Sequence, residues 1–78
     1  MQNYHAGRLM IKLLEEMVDE QKKKLYILAK KIIPYITPDD LLQPQDYPEL
    51  DVLPEFRYEE GVLCGLESAL AALRAENM

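Results

Sequence analysis

The feature that most constrains this chain is a regular series of apolar residues through its first half. From Gly7 to Tyr35 they recur at alternating steps of four and three, the spacing that places side chains along one face of an α-helix. We call this series the seam; it consists of Gly7, Ile11, Leu14, Val18, Gln21, Leu25, Leu28, Ile32 and Tyr35. A helix of roughly 30 residues is about 45 Å long, so a chain of 78 residues must cover much of it with other segments or with another chain.

Apolar residues also lie outside the seam. The apolar stripe that contains the seam is widened by Met10, Met17, Ala29 and Ile36. Further large apolar side chains project beyond this stripe: Leu9, Leu13 and Ile27 on one side, and Tyr26 and Ile33 on the other. Both ends of this helix are therefore apolar over more surface than one partner helix can cover.

The remainder of the chain predicts a link and a second, shorter helix. Pro34 cannot donate a main-chain hydrogen bond, so we expect the first helix over about residues 5–35. Thr37 before Pro38 is a good N-cap and predicts a short helical turn over 38–43, which Pro44 ends. Prolines at 44, 48 and 54 predict an extended acidic strap over 44–53, followed by a second helix over about 54–76. The fold class is thus an all-α antiparallel helical hairpin with a proline-rich acidic connecting strap.

The second helix has two different faces. Leucines at three-four-three spacing, namely Leu63, Leu66, Leu70 and Leu73, suit packing on the seam. Small residues cover most of the rest. Gly61, Gly65 and Ala69 lie four residues apart, and small residues at this spacing permit the close approach of a neighbouring helix. A glycine inside a helix costs about 1 kcal/mol against alanine, so two glycines in one helix suggest a packing reason. The alternatives are fraying near the helix start or simple tolerance.

Size predicts self-association. A core this small rarely supplies more than about 3–5 kcal/mol, and the only cysteine, Cys64, cannot form a disulfide within the chain. We therefore expect a four-helix bundle dimer. The predicted interface consists of Ile11, Leu14, Val18, Gln21, Leu25, Leu28, Ile32, Gly61, Gly65, Ala69 and Ala72. Within it, Gln21 is either a polar residue that sets the helix register or a point where the seam opens to solvent.

Charge argues against a nucleic-acid partner. The net charge is +3 over residues 1–37, −7 over 38–60 and −1 over 61–78, which agrees with the total of −5. The lysines at 22–24, 30 and 31 are expected to be solvated or paired with the acidic strap, because overall negative charge opposes phosphate binding.

Motifs for chemistry are weak. His5 is the only histidine, the acidic residues lack the spacing of a calcium-binding loop, and we expect Cys64 to be a small buried residue. We therefore expect no enzyme activity, no catalytic residue, no cofactor and no metal. The segment 47–50 is similar to the short Tyr-Pro-x-Leu peptides that some trafficking adaptors capture, but Tyr47 and Leu50 packing onto the helices is the simpler interpretation.

These observations predict a small intracellular protein–protein interaction or assembly module that acts as a homo-oligomeric adaptor or regulatory subunit. The alternative is a dedicated partner or chaperone subunit whose apolar helix surface is covered by a second, different protein. No apolar run approaches the roughly 18–20 residues of a membrane span, and the N-terminus lacks a basic region leading into an apolar one. We therefore expect a cytoplasmic protein without a membrane partner.

Overall fold

The computed structural model describes residues 4–43 and 46–77, and its framework is a pair of long helices packed against each other. The order of elements is α1 (Tyr4–Ile32), a 3₁₀ turn (Pro38–Leu42), the four-residue helix α2 (Pro48–Asp51) and α3 (Pro54–Glu76). Residues 4–43 and 46–77 form no strand. The all-α helical hairpin is confirmed, with α1 against α3.

The first helix ends earlier than about residue 35. Its last residue is Ile32, and the amide of Ile33 still donates to the carbonyl of Ala29 at 2.8 Å. Pro34 then removes the next donor. Lys30 and Lys31 occupy the last turn, where positive charge favours the helix C-terminus.

A capping box opens the 3₁₀ turn. The amide of Asp40 donates to Thr37 Oγ1 at 3.3 Å, and the amide of Thr37 donates to Asp40 Oδ2 at 2.9 Å. The main-chain hydrogen bond from Thr37, followed by its hydroxyl, lowers the pKa of the Asp40 carboxyl below its usual value. The stop predicted at Pro44 lies outside the described residues.

The predicted extended conformation of the strap is wrong at α2. Pro48 stands at the start of this turn with Glu49 and Asp51 in it, a pattern that suits the first turn of a helix. The turn directs Leu50 inward, where its side chain is fully buried. The segment 47–50 thus packs onto the helices through Leu50 and the half-buried Tyr47.

The core lies at the end of the hairpin where the chain reverses. It is formed by Leu25, Ala29, Ile33, Ile36, Leu50 and Phe56. Phe56 lies in the first turn of α3, and with Leu50 it is one of the two largest fully buried side chains. The strap and both helices therefore meet at one apolar cluster, and Val18 and Leu70 are buried further along the pair of helices.

The seam does not remain buried along its whole length. Val18, Gln21 and Leu25 are buried, but Ile32 is 43% exposed and Tyr35 is 76% exposed. A strict seven-residue repeat drifts by about 20° per heptad around a straight helix, and α1 stops before Tyr35. The inward positions therefore pass to Ala29, Ile33 and Ile36.

Candidate interaction surface

The two long helices are joined at mid-length by a buried amide. Gln21 is 8% exposed, and its Nε2 donates to the main-chain carbonyl of Glu59 at 2.9 Å and to Glu59 Oε1 at 2.8 Å. Lys24 Nζ lies 3.3 Å from the other carboxylate oxygen. The Gln21 hydrogen bond is the main cause that lowers the pKa of Glu59 below its usual value; burial opposes it, and Lys24 adds to the lowering. Of the two interpretations of Gln21, the structure supports the register-setting residue, but the helix it registers belongs to its own chain.

Two further contacts define the register near the other end of the hairpin. Arg74 Nη2 donates to Glu15 Oε2 at 2.7 Å. Gly7 lies so close to Asn77 that a β-carbon on Gly7 would overlap the Asn77 carboxamide. The Asn77 Nδ2 meanwhile donates to the carbonyl of Leu73 at 2.8 Å, so the end of α3 is held beside the start of α1.

The lysine run has partners of several kinds. Lys24 pairs with Glu59 of α3, Lys23 Nζ lies 3.6 Å from Glu20 on the same helix, and Lys30 Nζ lies 5.2 Å from the centre of the Tyr26 ring. These contacts are with the two long helices. Asp51, at the end of α2, instead pairs with Arg57 of α3 at 3.2 Å, so this acid of the strap neutralises an arginine.

The hairpin itself uses part of the predicted interface. Val18, Gln21 and Leu25 are buried within the chain, and Ile11, Leu14 and Leu28 are half-buried. Gly61, Gly65, Ala69 and Ala72 are exposed. A β-carbon built on Gly61 or Gly65 meets nothing within 4 Å, so any close helix contact at these glycines would have to involve another molecule.

One broad side of the hairpin carries grooves with charged rims. A groove of about 610 Å³ has Leu25, Phe56 and Leu63 on its floor, and its rims include Lys22, Lys23, Glu60 and Glu67. A second depression continues along the same side, lined by Glu15, Asp19, Ala71 and Arg74 among others. We call this side the groove side.

The opposite broad side is apolar. Met17 lies nine residues before Tyr26, and Ala69 lies nine residues after Glu60; nine residues make two and a half helical turns. Since Tyr26 and Glu60 both line the larger groove, Met17 and Ala69 lie on the other side of their helices. Other apolar or small residues lie beside them on this side. We call the whole set the apolar face; it consists of Met10, Leu13 and Met17 on α1, and of Gly65, Leu66, Ala69 and Leu73 on α3.

The α1 side chains of the apolar face are well exposed, whereas Leu66 and Leu73 on α3 are half-buried. Met10 is 52% exposed, Leu13 57% and Met17 43%. These three residues are absent from the predicted interface. The sequence does show an excess of apolar residues beside the seam. Periodicity alone, however, does not indicate which side of α1 is covered by α3 and which side stays exposed.

The chain exposes more surface than its mass requires. Its accessible surface is 5790 Å², whereas a compact monomer of 9.1 kDa is expected to expose about 4,900 Å². The excess of about 900 Å² is close to the roughly 800 Å² that one partner contributes to a standard-size protein–protein interface.

Within residues 4–43 and 46–77, no three side chains of the types His, Cys, Asp and Glu are placed to hold a metal ion. Cys64 is exposed at the rim of the groove, so the expectation that it is buried is wrong. Its position on α3 lies about 100° away from Leu63, which faces α1. No described helix combines the length and apolar character needed to cross a bilayer.

Comparison of this chain with protein-family models, with curated proteins and with solved structures finds no match.

Proposed function

We propose that this protein is a non-catalytic protein–protein interaction module that self-associates through its apolar face and acts as a homo-oligomeric adaptor or regulatory subunit. The observation that carries the proposal is the combination of an exposed two-helix apolar face with about 900 Å² of surface beyond that expected for a monomer of this mass. Monomers rarely expose contiguous apolar patches larger than a few hundred Å².

The charge distribution supports the same proposal. The rims of the groove side carry charges of both signs. The residues of the apolar face are uncharged, and of the charged side chains that lie beyond them on the same side, Lys24 is already paired with Glu59 within the chain. Two copies that each carry a net charge of −5 repel each other. This repulsion is weakest when the charged side chains point away from the contact. A nucleic-acid partner stays disfavoured for the reason given by the sequence.

A different protein as the partner is the second candidate function. Leu9 is 68% exposed and Ile27 is 59% exposed. They are eighteen residues apart, which is five full turns, so both lie on one line of α1. This line is separate from the α3 contact and borders the apolar face at its edge, so a dimer through the apolar face would leave much of it uncovered. A dedicated partner or chaperone role would use that surface.

The free thiol agrees with a reducing compartment such as the cytoplasm. Cys64 is the only cysteine and is exposed, and exposed thiols persist where disulfides are kept reduced.

The solution mass tests the proposal. Light scattering behind size-exclusion chromatography at micromolar concentration should give twice the chain mass of 9.1 kDa or a higher multiple. A cooperatively melting monomer of 9.1 kDa would contradict self-association. A monomer that binds column matrix and lacks a cooperative melt would favour the dedicated partner.

A further inference from the structure

The apolar face has large side chains on one helix and small ones on the other. Its α1 row consists of Met10, Leu13 and Met17, all between 43% and 57% exposed. Its α3 row has Gly65 and Ala69 at the outside, with Ala72 beside them, all exposed. The α1 row therefore forms a ridge, and the α3 row forms a shallow channel beside it.

The ridge and the channel lie at matching heights. The contacts of Gly7 with Asn77 and of Lys24 with Glu59 relate positions along the two antiparallel helices. At equal rise per residue, they place Met17 at the height of about residue 67, between Gly65 and Ala69. The same relation places Leu13 at the height of about residue 71, between Ala69 and Ala72.

We infer that the apolar face is occupied by a second copy of this chain whose α1 packs antiparallel on α3 of the first copy, around a two-fold axis parallel to the helices. This arrangement rests on the proposed self-association and specifies its geometry. A rotation about such an axis keeps every residue at its own height and carries each ridge over the other copy's channel. Met17 of each copy then enters the space between Gly65 and Ala69 of the other, as a knob enters a hole.

The other face-to-face two-fold arrangement fits less well. An axis perpendicular to the helices would place α1 on α1 and α3 on α3. Methionine and leucine ridges would then meet each other, and the two channels would enclose a gap, which forfeits packing contacts. An isologous interface has to be complementary to itself, and only the axis parallel to the helices pairs ridge with channel.

Charge is complementary in the same arrangement. Lys31 lies fourteen residues after Met17, and Glu55 lies fourteen residues before Ala69; this separation is close to four full turns, so both point to the side of the apolar face. Both are exposed. Lys31 of one copy reaches the height of about residue 53 of the other copy, within one turn of Glu55. The basic end of α1 therefore lies over the acidic start of α3.

The area also fits a second copy. The chain measures 50 × 18 × 16 Å, so a second copy laid along the apolar side matches its length and width. One broad side of 50 × 18 Å has a footprint of about 900 Å², comparable to the roughly 800 Å² per partner of a standard-size interface.

The first test uses a matched pair of alanines on α3. Ala69 lies in the apolar face and Ala71 lines the groove side; both are exposed in the single chain. Ala69→Glu should raise the dissociation constant of the dimer roughly 100-fold or more, because it places an unpaired charge in the contact. Ala71→Glu should leave the dimer intact. Equal masses for the two variants, or dissociation by Ala71→Glu alone, would overturn the arrangement.

The second test is cross-linking, which does not depend on a destabilising substitution. In a Cys64→Ser background, Met17→Cys and Ala69→Cys chains are prepared separately, mixed, and oxidised with oxidised glutathione. The mixture should give a disulfide-linked dimer several-fold more abundant than either chain alone. Cross-linking of the Met17→Cys chain with itself as the main product, or no excess in the mixture, would overturn the inferred axis. A wild-type chain that is a folded monomer would instead contradict the proposed function, so the two failures are distinguishable.

Discussion

The side-chain amide of Gln21 donates to both the main-chain carbonyl and the carboxylate of Glu59, 38 residues further along the chain. A buried amide with both acceptors on one residue leaves little freedom for α3 to slide along α1, because a shift by one residue would leave polar groups unpaired. The register of the hairpin is therefore specified by a polar contact inside an otherwise apolar seam.

Gln21→Leu should lower the melting temperature, although leucine is similar in size and more apolar. The substitution removes the donor and leaves the carbonyl and carboxylate of Glu59 without it, and the cost of an unmade hydrogen bond exceeds the gain from burying leucine. We expect a fall of several degrees in a circular dichroism melt. A melting temperature at or above wild type would show that the contact does not stabilise the fold.

Acid should destabilise the hairpin through Glu59. Its pKa is lowered in the folded chain, first by the Gln21 hydrogen bond and then by Lys24. A carboxyl with a lowered folded pKa contributes stability above its unfolded pKa, and this contribution is lost as the pH falls through the folded value. The melting temperature should therefore decrease as the pH falls below about 4.5, with a further contribution from Asp40, whose pKa is also lowered.

The same pH series on Glu59→Gln isolates this contribution. The variant should start from a lower melting temperature at neutral pH and lose less of it on acidification. Glu16→Gln, at an exposed position of α1, is the control and should follow wild type. Equal slopes for wild type and Glu59→Gln would show that Glu59 does not govern the acid transition.

Leu50→Ala should destabilise the protein by about 2–5 kcal/mol, because it leaves a cavity in the cluster that joins the strap to both helices. Leu50 is 0% exposed, whereas Val52, two residues later, is 76% exposed. Val52→Ala should change the free energy of unfolding by no more than about 0.5 kcal/mol. Chemical denaturation measures both, and similar values for the two variants would contradict the placement of the strap.

Substitutions at Gly65 show whether this surface of α3 is exposed to solvent or covered by a second copy. In the single chain a β-carbon at this position meets nothing within 4 Å, so Gly65→Ala alone should stabilise an uncovered α3 by up to about 1 kcal/mol. Under the inferred arrangement, alanine should be neutral or harmful and Gly65→Leu should break the dimer by overpacking. Thermal melts with the mass measured alongside distinguish the two. If both variants melt higher at unchanged mass, the surface is open to solvent.

Local signals predicted the elements of this fold well. Pro34 ends α1, Thr37 caps the following turn, and Pro54 begins α3. Each of these effects acts within about one helical turn, through a missing donor, a side-chain cap or a fixed φ angle, so the sequence neighbours of a residue suffice to predict it. The turn at Pro48 has the same kind of signal, but three prolines in the strap favoured an extended interpretation.

Long-range choices did not follow from those signals. Helix α1 is apolar on more than one side, and periodicity ranked the seam above its flanks without indicating which flank α3 leaves open. The burial predicted for Cys64 was wrong, since burial depends on where a residue stands relative to the other helix. The packing predicted for Leu50 was right, but the helical turn that directs it inward was not expected.

The sequence by itself determined that the chain forms two long helices with a sharp reversal between them, because helix starts, stops and periodicity are local properties. Only the tertiary structure decided that Gln21 meets Glu59 and that Met17 and Ala69 share one open side. These relations depend on the heights and rotation at which two helices pack, and packing is set by the shapes of side chains far apart in the chain.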